Sequence, residues 1–190
     1  MVNQIKDVQP IRNIEDLHRM EWALGRFCGE RDVTLFKIGC NTALRCSDIL
    51  QIKTKDLLKL KNKREKIYKI KEKKTDKTRN IDFTAFYDDI LPYVESCNSE
   101  WLFPSRKGDK PISVTQAYRQ LNKAADMAEV DHIGTHTMRK TAGYWLYKRT
   151  NDIVKVQRFL NHTNPSVTRR YIGISDEEMH DTLRTFNLFA

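Results

Sequence analysis

The stretch that decides the reading of this chain is "RFLNHTNPSVTRRYIG", residues 158–173. Two arginines lead directly into Tyr171, which follows His162 by nine residues. A core tyrosine needs apolar neighbours and one partner for its hydroxyl. Behind such a density of positive charge, a tyrosine is instead a phenol poised for a phosphate. Locally the stretch reads as the end of one helix and the start of another. "DIVKVQRFLNH" (152–162) has helical spacing, and "NPSVTRRYI" (164–172) opens with Pro165 in its first turn, where a missing N–H costs nothing.

Upstream, "THTMRKTAGYWLYKRT" (135–150) and "SVTQAYRQLNKAADMAEV" (113–130) read as amphipathic helices. "EWLFPSRKGDKPIS" (100–113) is punctuated as a loop, and "FTAFYDDILPYVESC" (83–97) is a helix expected to break at Pro92. At the front, "NIEDLHRMEWALGRFC" (13–28) repeats apolar residues at helical spacing, with Asn13 as its cap. "RDVTLFKIGCNTAL" (31–44) follows as an apolar helix, and "CSDILQI" (46–52) as a short one capped by Ser47. Between these groups the texture changes. "IYKIKEK" and "TRNIDF" read as strands about a "KTDK" turn. The fold expected is therefore α+β, mostly helical, with a small antiparallel sheet of about three strands on one side. No linker interrupts residues 1–190, so one domain is expected. Ser175 and Glu178 form a capping box that opens a helical tail over residues 175–190.

Charge narrows the function. The chain has 190 residues, 39% of them hydrophobic, and a formal net charge of +9, which points to a polyanion as partner. Thirteen lysines and arginines against four acids lie between residues 53 and 79. Lysines guarding a sheet edge account for only some of that excess. Cys28, Cys40, Cys46 and Cys97 form no C-x-x-C pair and read as reduced thiols. The opening "MVNQIKDVQP" has no apolar signal core, and no run approaches a membrane span. A cytoplasmic protein, associated with the nucleoid, is expected.

Phosphodiester transfer needs a nucleophile, cations for the phosphoryl oxygens and an acid for the leaving oxygen. The chain shows no P-loop and no carboxylate cluster at metal-like spacing. His132 and His136 are four apart, but Gly134 separates them and a third ligand is missing, so neither metal nor cofactor is expected. Arginines would then do the metal's task, because a planar guanidinium matches two phosphate oxygens. His136 and Arg139 share one helix face. Arg45, in "NTALRCSDIL" (41–50), sits in an apolar context where it must find an anion.

In their order and local contexts, "ALRCSD", the basic hairpin, "HTMRKT" and "LNHTNPSVTRRY" resemble the boxes of the tyrosine recombinase (phage integrase) family, catalytic domain. The resemblance runs from about residue 10 to residue 185. It implies that Arg45 and Arg139 hold a scissile phosphate and that His162 donates a hydrogen bond to it. His136 would be the proton partner of Tyr171, the nucleophile. Lys74 would protonate the departing 5′ oxygen, with Lys73 and Lys77 as rivals for that role. Asp48 would buttress the site, and nearby cations would lower the phenol's pKa. Lys69, Lys71, Lys73, Lys77 and Arg79 would meet DNA backbone. The implied enzyme is a site-specific DNA recombinase or integrase of a bacterium, phage or mobile element. It would work through a 3′-phosphotyrosyl link on double-stranded DNA, as a homotetramer on DNA and a monomer when free. A DNA-binding or regulatory module of the same fold, and a type IB topoisomerase-like enzyme, are the alternatives. Asn161 and Lys140 depart from the family's usual glycine and histidine, and the N-terminal DNA-clamping domain of most relatives is absent from residues 1–190. The tail would pack on its own core or be donated to a neighbouring protomer.

Overall fold

The computed structural model describes residues 8–74, 76–174, 184 and 187. The expected helical tail over 175–190 therefore lies outside the described residues, save for Arg184 and Asn187.

Two helices open the fold, α1 (Ile14–Phe27) and α2 (Glu30–Thr42). Asn13 caps α1 as expected, its side-chain oxygen accepting from the Glu15 N–H at 2.9 Å. The turn α3 (Cys46–Ile49) and the short α4 (Thr54–Leu58) follow. Ser47 is not the cap of α3: the helix begins one residue earlier, and Arg45 holds the N-cap position in extended backbone. Strands β1 (Ile67–Lys71) and β2 (Thr78–Asp82) pair antiparallel, with Tyr68 opposite Ile81 and Ile70 opposite Arg79. Among the described residues the sheet has two strands, not about three. Further pairing is confined to isolated bridges, Lys53 with Trp101 and Pro104 with Pro111. Proline lacks the N–H that would extend such a bridge into a ladder.

Helix α5 (Tyr87–Ser96) runs through Pro92 without a break, against expectation. Pro92 deprives only the Asp88 carbonyl of its helical donor, and Asp88 is exposed, so water can serve it. The remaining helices are α6 (Val114–Ala128), α7 (Thr137–Thr150), α8 (Ile153–Leu160) and α9 (Pro165–Ile172).

Helix α1 packs on α2 and α6, and α2 packs on α7. Their apolar faces meet the sheet and α5 in one core that includes Met20, Leu24, Leu35, Ile38, Phe83, Tyr87 and Phe103, all essentially inaccessible. Burying each such side chain contributes about 2 kcal/mol. A second, smaller core joins α7, α8 and α9 through Ala142, Val156, Leu160 and Ile172. Gly143 makes that junction possible, because a Cβ there would lie 2.7 Å from Ile172 and 3.0 Å from Leu160. The helix carrying Arg139 can thus lie against the helix carrying Tyr171. None of the described helices is long and apolar enough to cross a membrane.

Candidate active site

Four chain segments converge between the two cores. The first is the end of α2. Ala43 closes that helix in the left-handed conformation, and Arg45 then starts α3 with its backbone extended. This sharp reversal leaves the Arg45 side chain only partly covered, with 18% of it exposed. Its Nη1 donates to Glu72 Oε2 at 3.1 Å.

The second segment is the hairpin turn. Asp48 is buried, and its Oδ1 accepts from the Lys73 backbone N–H at 3.0 Å, which ties α3 to the turn. Its other oxygen, Oδ2, is buried without a hydrogen-bond partner. The turn closes on itself, as the Asp76 N–H donates to the Glu72 carbonyl and the Glu72 N–H to the Lys77 carbonyl, both at 2.9 Å. Lys73, Lys74 and Lys77 are exposed there. The charge of Lys74 reaches the site, since it helps to depress the pKa of His136.

The third segment is the start of α7. His136 sits at the N-cap, and Arg139, one turn in, is 2% exposed. Arg139 donates through Nη1 to the Ala43 carbonyl and through Nη2 to the Leu160 carbonyl. Those are carbonyls at the ends of α2 and α8, which have no partner inside their own helices. One buried guanidinium thus holds together the two helix ends that present Arg45 and His162.

The fourth segment is α8 through α9. Asn161 closes α8 in the left-handed conformation. The His162 ring then lies with Nδ1 3.2 Å from Thr168 Oγ1 on α9. On α9, the half-buried Tyr171 places its hydroxyl 3.2 Å from His136 Nδ1. The edge of His162 meets the Tyr171 ring at 4.9 Å between centroids, and Lys140 Nζ lies 5.4 Å from the centre of that ring. Gly173 ends α9 at φ 72°, and its carbonyl accepts from Arg12 Nη2 at 2.9 Å.

Arg45, Lys74, His136, Arg139, His162 and Tyr171 all belong to this convergence. The set expected at the DNA backbone divides. Lys69 and Lys71 project from the exposed face of β1, with Lys71 paired to Asp76 at 2.8 Å. Arg79 turns inward instead. Its Nη1 pairs with Glu72 Oε1 at 2.7 Å, and its Nη2 donates to the Phe159 carbonyl at 2.8 Å. Strand alternation carried that signal, because Arg79 shares a face with the buried Ile81. Glu72, fully buried, was not expected in the site. Its only mark in the sequence is an acid at the end of a strand in the most basic stretch of the chain. Among the described residues, no group of three or more His, Cys, Asp or Glu could hold a metal ion.

Electrostatics set the protonation states. Burial, then the charges of Arg139 and Arg45, push His162 down to about 4. Burial, then Arg139, Lys140, Arg45 and Lys74, depress His136 below its usual range. Both rings are therefore neutral at pH 7. The expected lowering of the Tyr171 pKa is not found. Burial raises it, and this outweighs the downward pull of Arg139 and Arg45. The phenol keeps its proton at neutral pH, beside a neutral imidazole able to accept it.

The His162 shift has a consequence for stability. An unfolded histidine titrates near 6.5, whereas the folded His162 titrates near 4. Between those values the unfolded chain binds more protons, so stability falls as pH falls. The contribution is complete above the unfolded value and disappears as pH drops through the folded one. Thermal unfolding followed from neutral to mildly acidic pH should show a declining Tm, and the decline should be shallower in His162→Asn. Parallel declines in the two proteins would contradict a neutral, partly buried His162.

The phage integrase family model matches residues 20–178. The chain is 39% identical over 181 residues to the probable integrase/recombinase YoeC of Bacillus subtilis, covering 94% of this chain and 97% of that protein. It spans about half the length of other curated tyrosine recombinases that it matches. Among solved structures, the XerH site-specific recombinase bound to a palindromic difH substrate, in a post-cleavage complex, superposes with a TM-score of 0.74. The identity there is 22%, over 91% of this chain and 51% of XerH. A lambda integrase tetramer bound to a Holliday junction gives a TM-score of 0.66 at 16% identity, over 87% and 48% of the two chains.

Proposed function

The chain belongs to the phage integrase family, and from that membership we propose that it is a tyrosine-type, site-specific DNA recombinase that cleaves and rejoins double-stranded DNA. The observation that carries this reading is the Tyr171 hydroxyl 3.2 Å from a neutral His136 ring, beside Arg45 and the buried Arg139.

The chemistry follows from those neighbours. His136 Nδ1 takes the phenolic proton as the Tyr171 oxygen attacks phosphorus. The new bond joins Tyr171 to a 3′ phosphate, and the bond from phosphorus to the 5′ oxygen breaks. Lys74, on the exposed turn, gives the departing oxygen its proton. Arg45 and Arg139 offset the charge that builds on the phosphoryl oxygens, and His162 donates to one of them through its second ring nitrogen. A free 5′ hydroxyl reverses the sequence, so rejoining needs no external energy source. Relatives supply the context for assembly: XerH is bound to a difH substrate, and lambda integrase is a tetramer on a Holliday junction. By analogy, this protein is a monomer in solution and a tetramer on its DNA.

A pool of nicked duplexes with randomised sequence tests the activity. A strand cut near a nick loses its short end, which traps the covalent intermediate. The expected result is an SDS-stable protein–DNA adduct that enriches a limited set of sequences. Retention of duplexes without an adduct would leave a binding module.

Lys69, Lys71 and Lys73 lie exposed on the hairpin and suit the phosphate backbone. Their joint replacement by alanine should weaken binding to all duplexes alike. Each lost phosphate contact removes about 0.9 from the slope of log affinity against log salt. Because Lys71 already pairs with Asp76, the slope should fall by about 2 and not the full 3. An unchanged slope would make these lysines a solvated edge.

A further inference from the structure

We propose that Glu72 is a positioning residue for DNA cleavage: its buried carboxylate pins one edge of the Arg45 guanidinium and ties that arginine to the Lys74 turn and to the segment bearing His162.

Glu72 is 0% exposed, and both of its oxygens are engaged. Oε2 accepts from Arg45 Nη1 at 3.1 Å and from Asn161 Nδ2 at 3.3 Å. Oε1 accepts from Arg79 Nη1 at 2.7 Å. The partners come from separate parts of the chain. Arg45 starts α3, Arg79 lies in β2 and reaches on to the Phe159 carbonyl, and Asn161 directly precedes His162. The Glu72 backbone closes the turn that carries Lys74. A single carboxylate therefore sits where three of the four converging segments meet.

Stability alone is a weak reason for such a group. A buried ion pair returns little net energy compared with apolar residues that fill the same space. A carboxylate beside a phosphate-binding arginine also repels the phosphate, which weakens ground-state binding. Geometry is what offsets these costs. Arginine has five donors in a rigid fork. With Nη1 committed to Glu72, the side chain is fixed in rotation, and its remaining donors are aimed before the phosphate arrives. Glu72 also moderates the mutual repulsion of the guanidiniums, since its charge favours the protonated form of Arg139 while Arg45 and Arg79 oppose it. Asn161 gains a reason as well. Asparagine tolerates the left-handed backbone found there, φ 52°, and supplies an amide that a glycine would lack.

The inference rests on the recombinase reading, and the test separates the two. The probes are nicked duplexes of the sequences that the wild-type protein enriches as an adduct. Single-turnover cleavage by Glu72→Gln should fall roughly a hundredfold, the size carried by a misplacement of about 1 Å. DNA affinity should stay within about threefold of wild type, because the backbone-facing lysines are untouched. Glu72→Asp keeps the charge but not the reach, and should fall between the two. The decisive arm is a cycle with Arg45→Lys, which removes the fork that Glu72 holds. In that background Glu72→Gln should cost less than about threefold. A merely structural role would instead multiply the two losses, and that result overturns the proposal, as does wild-type cleavage by Glu72→Gln. Should Glu72→Gln fail to fold, Glu72→Asp takes its place in the cycle with the same two readings. A wild-type protein that forms no adduct on any duplex sinks the recombinase reading and this inference with it.

Discussion

Tyr171→Phe should bind duplexes as the wild-type protein does and form no SDS-stable adduct. The substitution removes one oxygen and leaves the ring, which is held edge-on by His162 and half-buried on α9. The cationic surroundings, Arg45, Arg139 and Lys140, stay in place, so the phosphate keeps its partners. The lost contact is the one from the hydroxyl to His136 Nδ1 at 3.2 Å. Removing one such hydrogen bond alters stability by about 1 kcal/mol. The chemical loss is of another order. With no phenol there is no atom to take the phosphoryl group, and adduct yield should drop by at least ~10⁴-fold, the scale seen when a nucleophile is removed. Denaturing gels and a parallel gel shift measure both quantities on the same samples. Adduct formation in the variant at a comparable rate would move the nucleophile to another residue.

Arg139→Ala should fail twice, in catalysis and in folding, whereas Arg45→Ala should fail chiefly in catalysis. Each removes a cation that offsets charge at the phosphoryl oxygens, a loss worth roughly 10²–10³ in rate. The two differ in what else depends on them. Arg139 is buried and donates to the Ala43 and Leu160 carbonyls. Its loss strands both carbonyls and frees the ends of α2 and α8 from each other. Two charge-assisted hydrogen bonds at about 1.5 kcal/mol or more each put the cost near 3 kcal/mol. For a domain of this size that is a Tm lower by roughly 10 °C. Arg45 is partly exposed, and Glu72 retains Arg79 and Asn161 when Arg45 is gone. Its Tm should fall by less than half as much. Calorimetry together with single-turnover cleavage checks the pair. Equal Tm losses would mean that Arg139 is no more of a staple than Arg45.

Much of this was legible along the chain, because much of it is local. Helix α9 was readable from Asn164, Pro165 and the arginines that follow, since a capping side chain and a proline at the first turn act within a few residues. The hairpin was readable from period-two alternation about a polar turn. The order of Arg45, Lys74, His136, Arg139, His162 and Tyr171 pointed to phosphoryl chemistry before any fold was known, because those side-chain types leave few other uses for such a set.

What the local pattern could not decide is where a charge finds its partner. Glu72 meets Arg45 from 27 positions away and Asn161 from 89, and Arg79 reaches Phe159 across 80. Composition counts Glu72 and Arg79 as solvated members of a basic stretch; packing makes one a buried anchor and the other its partner. The same holds for Tyr171. Neighbouring cations argued for a lower pKa, but the sign depends on how much water the fold removes, and burial on α9 prevails. Helices and strands are selected by hydrogen bonds a few residues apart and by the side-chain spacing that accompanies them. Ion pairing and desolvation act through space, and only the convergence of α2, the hairpin, α7 and α8–α9 determined which charges face each other and which lose their water.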